Sequence, residues 1–141
     1  MGMFAEMLAA ATDANSGNAS YHSNNYVEMQ VLNWCRQLLG YPPSSSGLLT
    51  SGCSSSNLIG LAVARNTMAG IDVRSKGLRN TPRQMTIYCS TEAHSSIQKA
   101  VELLGFGNDA LRQVPVNESL QIDLEALKAA ISNDRANGYH P

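Results

Sequence analysis

The chain has 141 residues, 43% of them hydrophobic and 15% charged, which suits one ordinary domain with a buried core and is too apolar for intrinsic disorder. Its formal net charge of −1 gives no excess of either sign to draw it to nucleic acid or an anionic membrane. No apolar run reaches a membrane span, the opening MGMFAEMLAAATDAN lacks the basic start of a signal peptide, and the three cysteines, Cys35, Cys53 and Cys89, form no CxxC pair, so reduced thiols in a cytoplasmic protein are expected, with neither a disulfide framework nor a zinc site.

Residues 1–25 show weak periodicity, and DANSGNASYHSNN reads as an irregular loop, so 1–25 is expected to be an N-terminal arm and 26–141 the body of the domain. From Tyr26, the residues Val27, Val31, Trp34, Cys35 and Leu38 recur at helical spacing, and Gly40 is a natural stop. YPPSSSG breaks the chain, and LLT at 48–50 reads as a short strand. Asn57 to Met68 is apolar nearly all round, which predicts a buried helix. GIDVRSKGLRNTPRQ is a polar, basic connector. MTIYCS follows as a strand of about six residues. His94 to Leu104 is amphipathic, with Ile97, Val101 and Leu104 on one stripe and Gly105 as stop. LRQVPV is the next strand candidate, and Pro115 puts it at a sheet edge or near a strand end. Asp123 caps a last helix whose stripe is Leu124, Leu127 and Ile131. Strands alternating with helices imply an α/β layer with crossover connections. After RANGYHP, where Gly138 closes the helix, such a series calls for another buried strand, so the chain is expected to be a fragment.

The stretch GLLTSGCSSSNLIGLAVAR joins an apolar run to an apolar helix through a loop of almost nothing but small residues. A helix N-terminus carries free N–H groups and a partial positive charge. A Gly/Ser loop before it lets an anion, above all a phosphate, reach those groups, with Gly52 supplying backbone freedom and Ser54, Ser55 and Ser56 supplying hydroxyls. No Lys follows the glycine, so the loop is not a P-loop, and it is not GxGxxG. The competing reading is a serine-rich helix cap without a ligand. Cys53 is either a nucleophile at a helix N-terminus, with His94 as the base, or a buried inert thiol. His94, just past MTIYCS, lies where open α/β sheets bind ligands; it either stacks on a ring or shuttles protons there, or faces solvent at a helix start.

Taken together, YVEMQVLNWCRQLLGYP, GLLTSGCSSSNLIGLAVAR, MTIYCSTEAHSSIQKAVELLG and VPVNESLQIDLEALKAAI resemble the pyridoxal-phosphate-dependent amino-acid decarboxylases of group II, the aromatic-amino-acid, glutamate and diaminobutyrate decarboxylases among them. The resemblance covers nearly the whole chain and is densest from Glu28 to Ala136. It implies an α/β fold: part of the large domain of a fold-type I enzyme, a mostly parallel sheet flanked by helices, working as a homodimer on an L-amino acid with pyridoxal 5′-phosphate. The family's TSGGSEAN loop matches Thr50 to Asn57, which implies that backbone N–H groups of Cys53 and Ser54 hold the cofactor phosphate. Its AHSS matches Ala93 to Ser96, which makes His94 the ring-stacking and catalytic histidine. The segment around Glu28 and Trp34 matches the family's early helix.

There are departures. Cys53 stands where the family has its second Gly, and Ser55-Ser56 where it has Glu-Ala. A backbone contact survives this if φ stays negative. The family's Schiff-base Lys and its Asp partner to the pyridine nitrogen have no match among 1–141, where the lysines are Lys76, Lys99 and Lys128. The expectation is therefore a carboxy-lyase when complete, with this chain supplying a phosphate cup and a ring stacker and inactive alone. The alternatives are another fold-type I enzyme, or a non-catalytic phosphate-binding or dimer-building remnant.

Overall fold

The computed structural model describes residues 2–12 and 23–141. It divides into two compact units, Met1–Leu49 and Thr50–Pro141. The first holds helices α1 (Gly2–Thr12) and α2 (Ser23–Leu38). Helix α1 forms where the periodicity is weak, and none of its residues is buried. Helix α2 begins three residues before the expected Tyr26, and most of the irregular stretch before it lies outside the described residues. It stops as expected: Gly40 takes φ 70 and its N–H donates to Gln37 O, a turn that a side chain would strain. The apolar stripe of α2 is open, with Val27, Trp34 and Leu38 all exposed. LLT is not a strand. Leu48 and Leu49 are exposed, and the Leu49 N–H donates to the Glu28 carboxylate at 2.7 Å instead of to a strand partner.

The second unit runs α3 (Cys53–Met68), the short α4 (Val73–Lys76), β1 (Ile87–Ser90), α5 (Ser96–Leu103), β2 (Leu111–Val114) and α6 (Leu124–Ala136). Strands β1 and β2 pair in parallel, with Ile87 opposite Leu111 and Ser90 opposite Val114. The parallel pair carries a helical crossover, α5, as parallel connections require. Pro115 ends β2, having no N–H to give. Asp123 caps α6, its carboxylate accepting from Glu125 N and Ala126 N, and Gly138 takes φ 83 beyond the helix end. The chain then returns beside the residues that lead into β1: Thr86 N donates to His140 O, and His140 N to Gln84 O, each at 2.9 Å.

Apart from Met85, the buried apolar residues among those described are alanines and valines: Ala69, Val73, Ala100, Val101, Ala110 and Val114. Ile71, Leu78 and Phe106 pack around Ala69, Val73 and Met85. The expectation of a buried α3 fails. No residue of α3 is buried, because an all-round apolar helix needs a neighbour on every side and α3 packs chiefly on α5.

Candidate functional site

The small-residue loop is shorter than the sequence suggests. Helix α3 starts at Cys53, four residues before the expected Asn57, so Cys53 to Ser56 form its first turn. Serine is an ordinary helix residue once a partner fixes the turn. The first helical bond runs from Ser56 N–H to Gly52 O at 3.1 Å. The N–H groups of Cys53, Ser54 and Ser55 therefore precede the hydrogen-bonded ladder, and no side chain caps them. All three residues are exposed. Thr50 Oγ1 lies 2.6 Å from Ser56 Oγ and donates to Gly52 O, which fixes the entry to the turn.

Gly52 takes φ 168 and ψ 163, extended backbone that any residue adopts. It is therefore not needed for conformational freedom, contrary to expectation. A Cβ placed on it would have no atom within 4 Å, so what glycine provides is open space before the free N–H groups. Cys53 is a helical residue, and Leu120 is the only non-glycine with positive φ among the described residues. A side chain here thus costs the backbone nothing.

His94 lies beyond the carboxyl end of β1. Thr91 N–H reaches across to Val114 O, and a turn closed by Ala93 N–H to Ser90 O leads into it. Helix α5 begins at Ser96, two residues later than expected, and His94 caps it: Ser96 N–H donates to His94 Nδ1 at 3.1 Å. Ser96 Oγ lies 2.9 Å from the same nitrogen. His94 is exposed, whereas Ser96 is buried at 4% exposure.

At the loop the two blocks are tied by a hydrogen bond. Asn57, in the second turn of α3, donates from Nδ2 to Ser96 Oγ at 2.9 Å and, more weakly, to Cys53 Sγ at 3.6 Å. Neither Asn57 nor Ser96 stood out in the sequence; both occur in the quoted motifs, but nothing local marks them as partners. Among the described residues no hydrogen bond joins Cys53 to His94, so the nucleophile–base pair weighed from sequence is not formed.

The other ionisable groups lie elsewhere. Asp134 of α6 is buried and accepts from Arg112 and Tyr88, the Tyr88 hydroxyl at 2.6 Å. The Arg112 guanidinium first, then the Tyr88 hydroxyl, holds the Asp134 carboxyl below the usual range. Burial, then the Asp134 carboxylate, pushes Tyr88 up. Arg112 also donates to Asp109 O and lies 5.3 Å from the Tyr139 ring centroid. This cluster joins β1, β2 and α6. Of the lysines, Lys128 pairs with Glu125 at 2.8 Å, Lys76 ends α4, and Lys99 borders a shallow hollow with Ser54, Ser55 and Ser96.

Parallel strands with a helical crossover define an α/β protein, with an uncapped helix start tied to a histidine at a strand's carboxyl end. The chain belongs to the pyridoxal-dependent decarboxylase family, whose conserved domain matches residues 1–141. It is 33% identical over 115 residues to an aromatic-L-amino-acid decarboxylase of Bacillus atrophaeus, covering 82% of this chain and 22% of that one. It is 30% identical over 150 residues to an L-2,4-diaminobutyrate decarboxylase of Acinetobacter baumannii, covering 98% and 29%. Among solved structures, the glutamate decarboxylase domain of the diaminobutyrate-pyruvate transaminase and L-2,4-diaminobutyrate decarboxylase from Vibrio parahaemolyticus matches with TM-score 0.87 and 28% identity, over 99% of this chain and 31% of that one. The chain thus spans under a third of the length of these relatives. No helix among its described residues is long and apolar enough to cross a membrane.

Proposed function

We propose that this chain is the phosphate-holding part of an L-amino-acid carboxy-lyase that uses pyridoxal 5′-phosphate. The backbone N–H groups of Cys53 and Ser54 hold the phosphate, and His94 lies against the cofactor ring. The observation that carries this reading is the Asn57–Ser96 bond, which sets the uncapped start of α3 beside His94. The residues fit the group: free N–H donors suit a dianion, the space before them is open, and an exposed imidazole at a strand's carboxyl end suits a flat ring. When bound, the cofactor supplies the electron sink that stabilises the carbanion left by CO₂ loss. The chain's own part is to bind the phosphate, to orient the ring and to present a proton at His94. The exposed apolar side chains of the first unit, Phe4, Met7 and Trp34 among them, support assembly as a homodimer, and the free thiols support a cytoplasmic protein.

The test compares binding of pyridoxal 5′-phosphate and of pyridoxal. The phosphate ester should bind the more tightly by at least tenfold; equal affinity overturns the cup. Stacking is worth about 1 kcal/mol, so His94→Ala should weaken binding roughly fivefold and His94→Phe should restore it. In a decarboxylase carrying this segment, both variants should lose CO₂ release. Wild-type CO₂ release by His94→Ala at saturating cofactor makes His94 a helix cap only.

A further inference from the structure

We infer that Ser96, held by Asn57, is a positioning residue that locks His94 as the neutral tautomer with its proton on Nε2. The inference concerns the protein's own hydrogen bonds; its consequence for the reaction rests on the placement of His94 proposed above.

The argument follows the protons. A backbone N–H can only donate, and that of Ser96 points at His94 Nδ1 from 3.1 Å. Nδ1 must therefore offer a lone pair, which a protonated Nδ1 lacks. The Ser96 hydroxyl has one proton and can also accept. Its oxygen takes a hydrogen bond from Asn57 Nδ2 at 2.9 Å, so its own proton is free for Nδ1, 2.9 Å away. Asn57 thus orients the hydroxyl, and the hydroxyl adds a second donor to the same nitrogen. Ser96 is buried at 4% exposure, where water competes poorly and a mismatched donor pair is costly. Reversing the chain would place Nδ1–H against the Ser96 N–H, donor against donor.

The exposed nitrogen, Nε2, then carries the ring's proton. His94 meets any ligand as a hydrogen-bond donor, not as a base. The group opposite must offer an acceptor, such as a carboxylate or phenolate oxygen. A proton-abstracting role for His94 is excluded while the lock holds, because Nδ1 is occupied and Nε2 is already protonated.

The experiment uses the 141-residue chain labelled with ¹⁵N-histidine and long-range ¹H–¹⁵N correlation near neutral pH, with His94→Gln identifying the signals. Wild type should show a pyridine-type Nδ1 and a pyrrole-type Nε2. A pyrrole-type Nδ1, or two nitrogens averaged to similar shifts, overturns the inference. Ser96→Ala should move both nitrogens toward the average, and Ser96→Thr, which keeps the hydroxyl, should restore the wild-type pattern. An unchanged pattern in Ser96→Ala removes Ser96 from the role. Asn57→Asp turns the donor into an acceptor, so the hydroxyl proton swings away and Nδ1 keeps only the Ser96 N–H; both nitrogens should then move toward the average, and a mere packing role for Asn57 predicts no such shift. The readout is taken without cofactor. A locked His94 whose signals ignore added pyridoxal 5′-phosphate therefore supports this inference while refuting the ring-stacking reading.

Discussion

Replacing Gly52 with alanine separates two reasons for a glycine before α3. If the backbone needed glycine, the substitution would strain the turn and cost well over 1 kcal/mol. The structure argues otherwise, since φ is 168 and the added methyl has no atom within 4 Å. Two small effects then oppose each other. Alanine narrows the unfolded ensemble, worth about 0.4–1 kcal/mol in favour of the fold. Alanine is also a poorer N-cap than glycine, by some tenths of a kcal/mol up to about 1. The net change in unfolding free energy should lie within about 0.5 kcal/mol of zero, measured by urea unfolding. Binding should respond differently, because the methyl enters the space through which an anion reaches the N–H groups of Cys53 and Ser54. Calorimetric titration with pyridoxal 5′-phosphate should show affinity reduced about threefold to tenfold, or ~0.6–1.4 kcal/mol. A stability loss above about 1.5 kcal/mol would sink the open-space argument, and unchanged affinity would show that the anion does not approach over Gly52.

Asp134 is held below the usual carboxylate range by Arg112 and then Tyr88. Its stabilising effect is therefore fully present above the unfolded carboxyl value, near 4, and is lost as pH falls through the lower folded value. Thermal melts of wild type should drop steeply below about pH 4, and Asp134→Asn should be less stable at pH 7 with a flatter profile there; parallel profiles would count against the assignment. Alkylation at neutral pH should label exposed Cys35 and Cys53 before half-buried Cys89, whose thiol burial pushes up, so equal rates at all three would contradict the partial burial of Cys89.

Features set by neighbouring residues were legible in the sequence. The Asp123 cap, the Gly40 stop and the Pro115 strand end each depend on one turn of chain, and each stands where the pattern places it. The start of α3 falls ahead of the apolar pattern because four small residues carry no apolar stripe, and α3 stays open because hydrophobicity reports what a helix needs, not which neighbours cover it. The Asn57–Ser96 bond spans 39 residues. No local periodicity encodes such a contact, so the residues at the site could be quoted from the sequence while the tie between them could not.

The position of β1 has a consequence for how the sheet assembles during synthesis. Its partner β2 comes later in the chain, and so does His140, which pairs with Met85 just ahead of the strand. An emerging polypeptide therefore leaves Ile87–Ser90 unpaired until residue 111 is available, and Met85 unpaired until His140 is. Closing those loops costs entropy before pairing rewards it, and an unpaired strand edge is where chains join wrongly. The Asp134–Arg112–Tyr88 cluster draws α6 to both strands just before His140 arrives, so weakening it should show first as poor yield of soluble nascent protein.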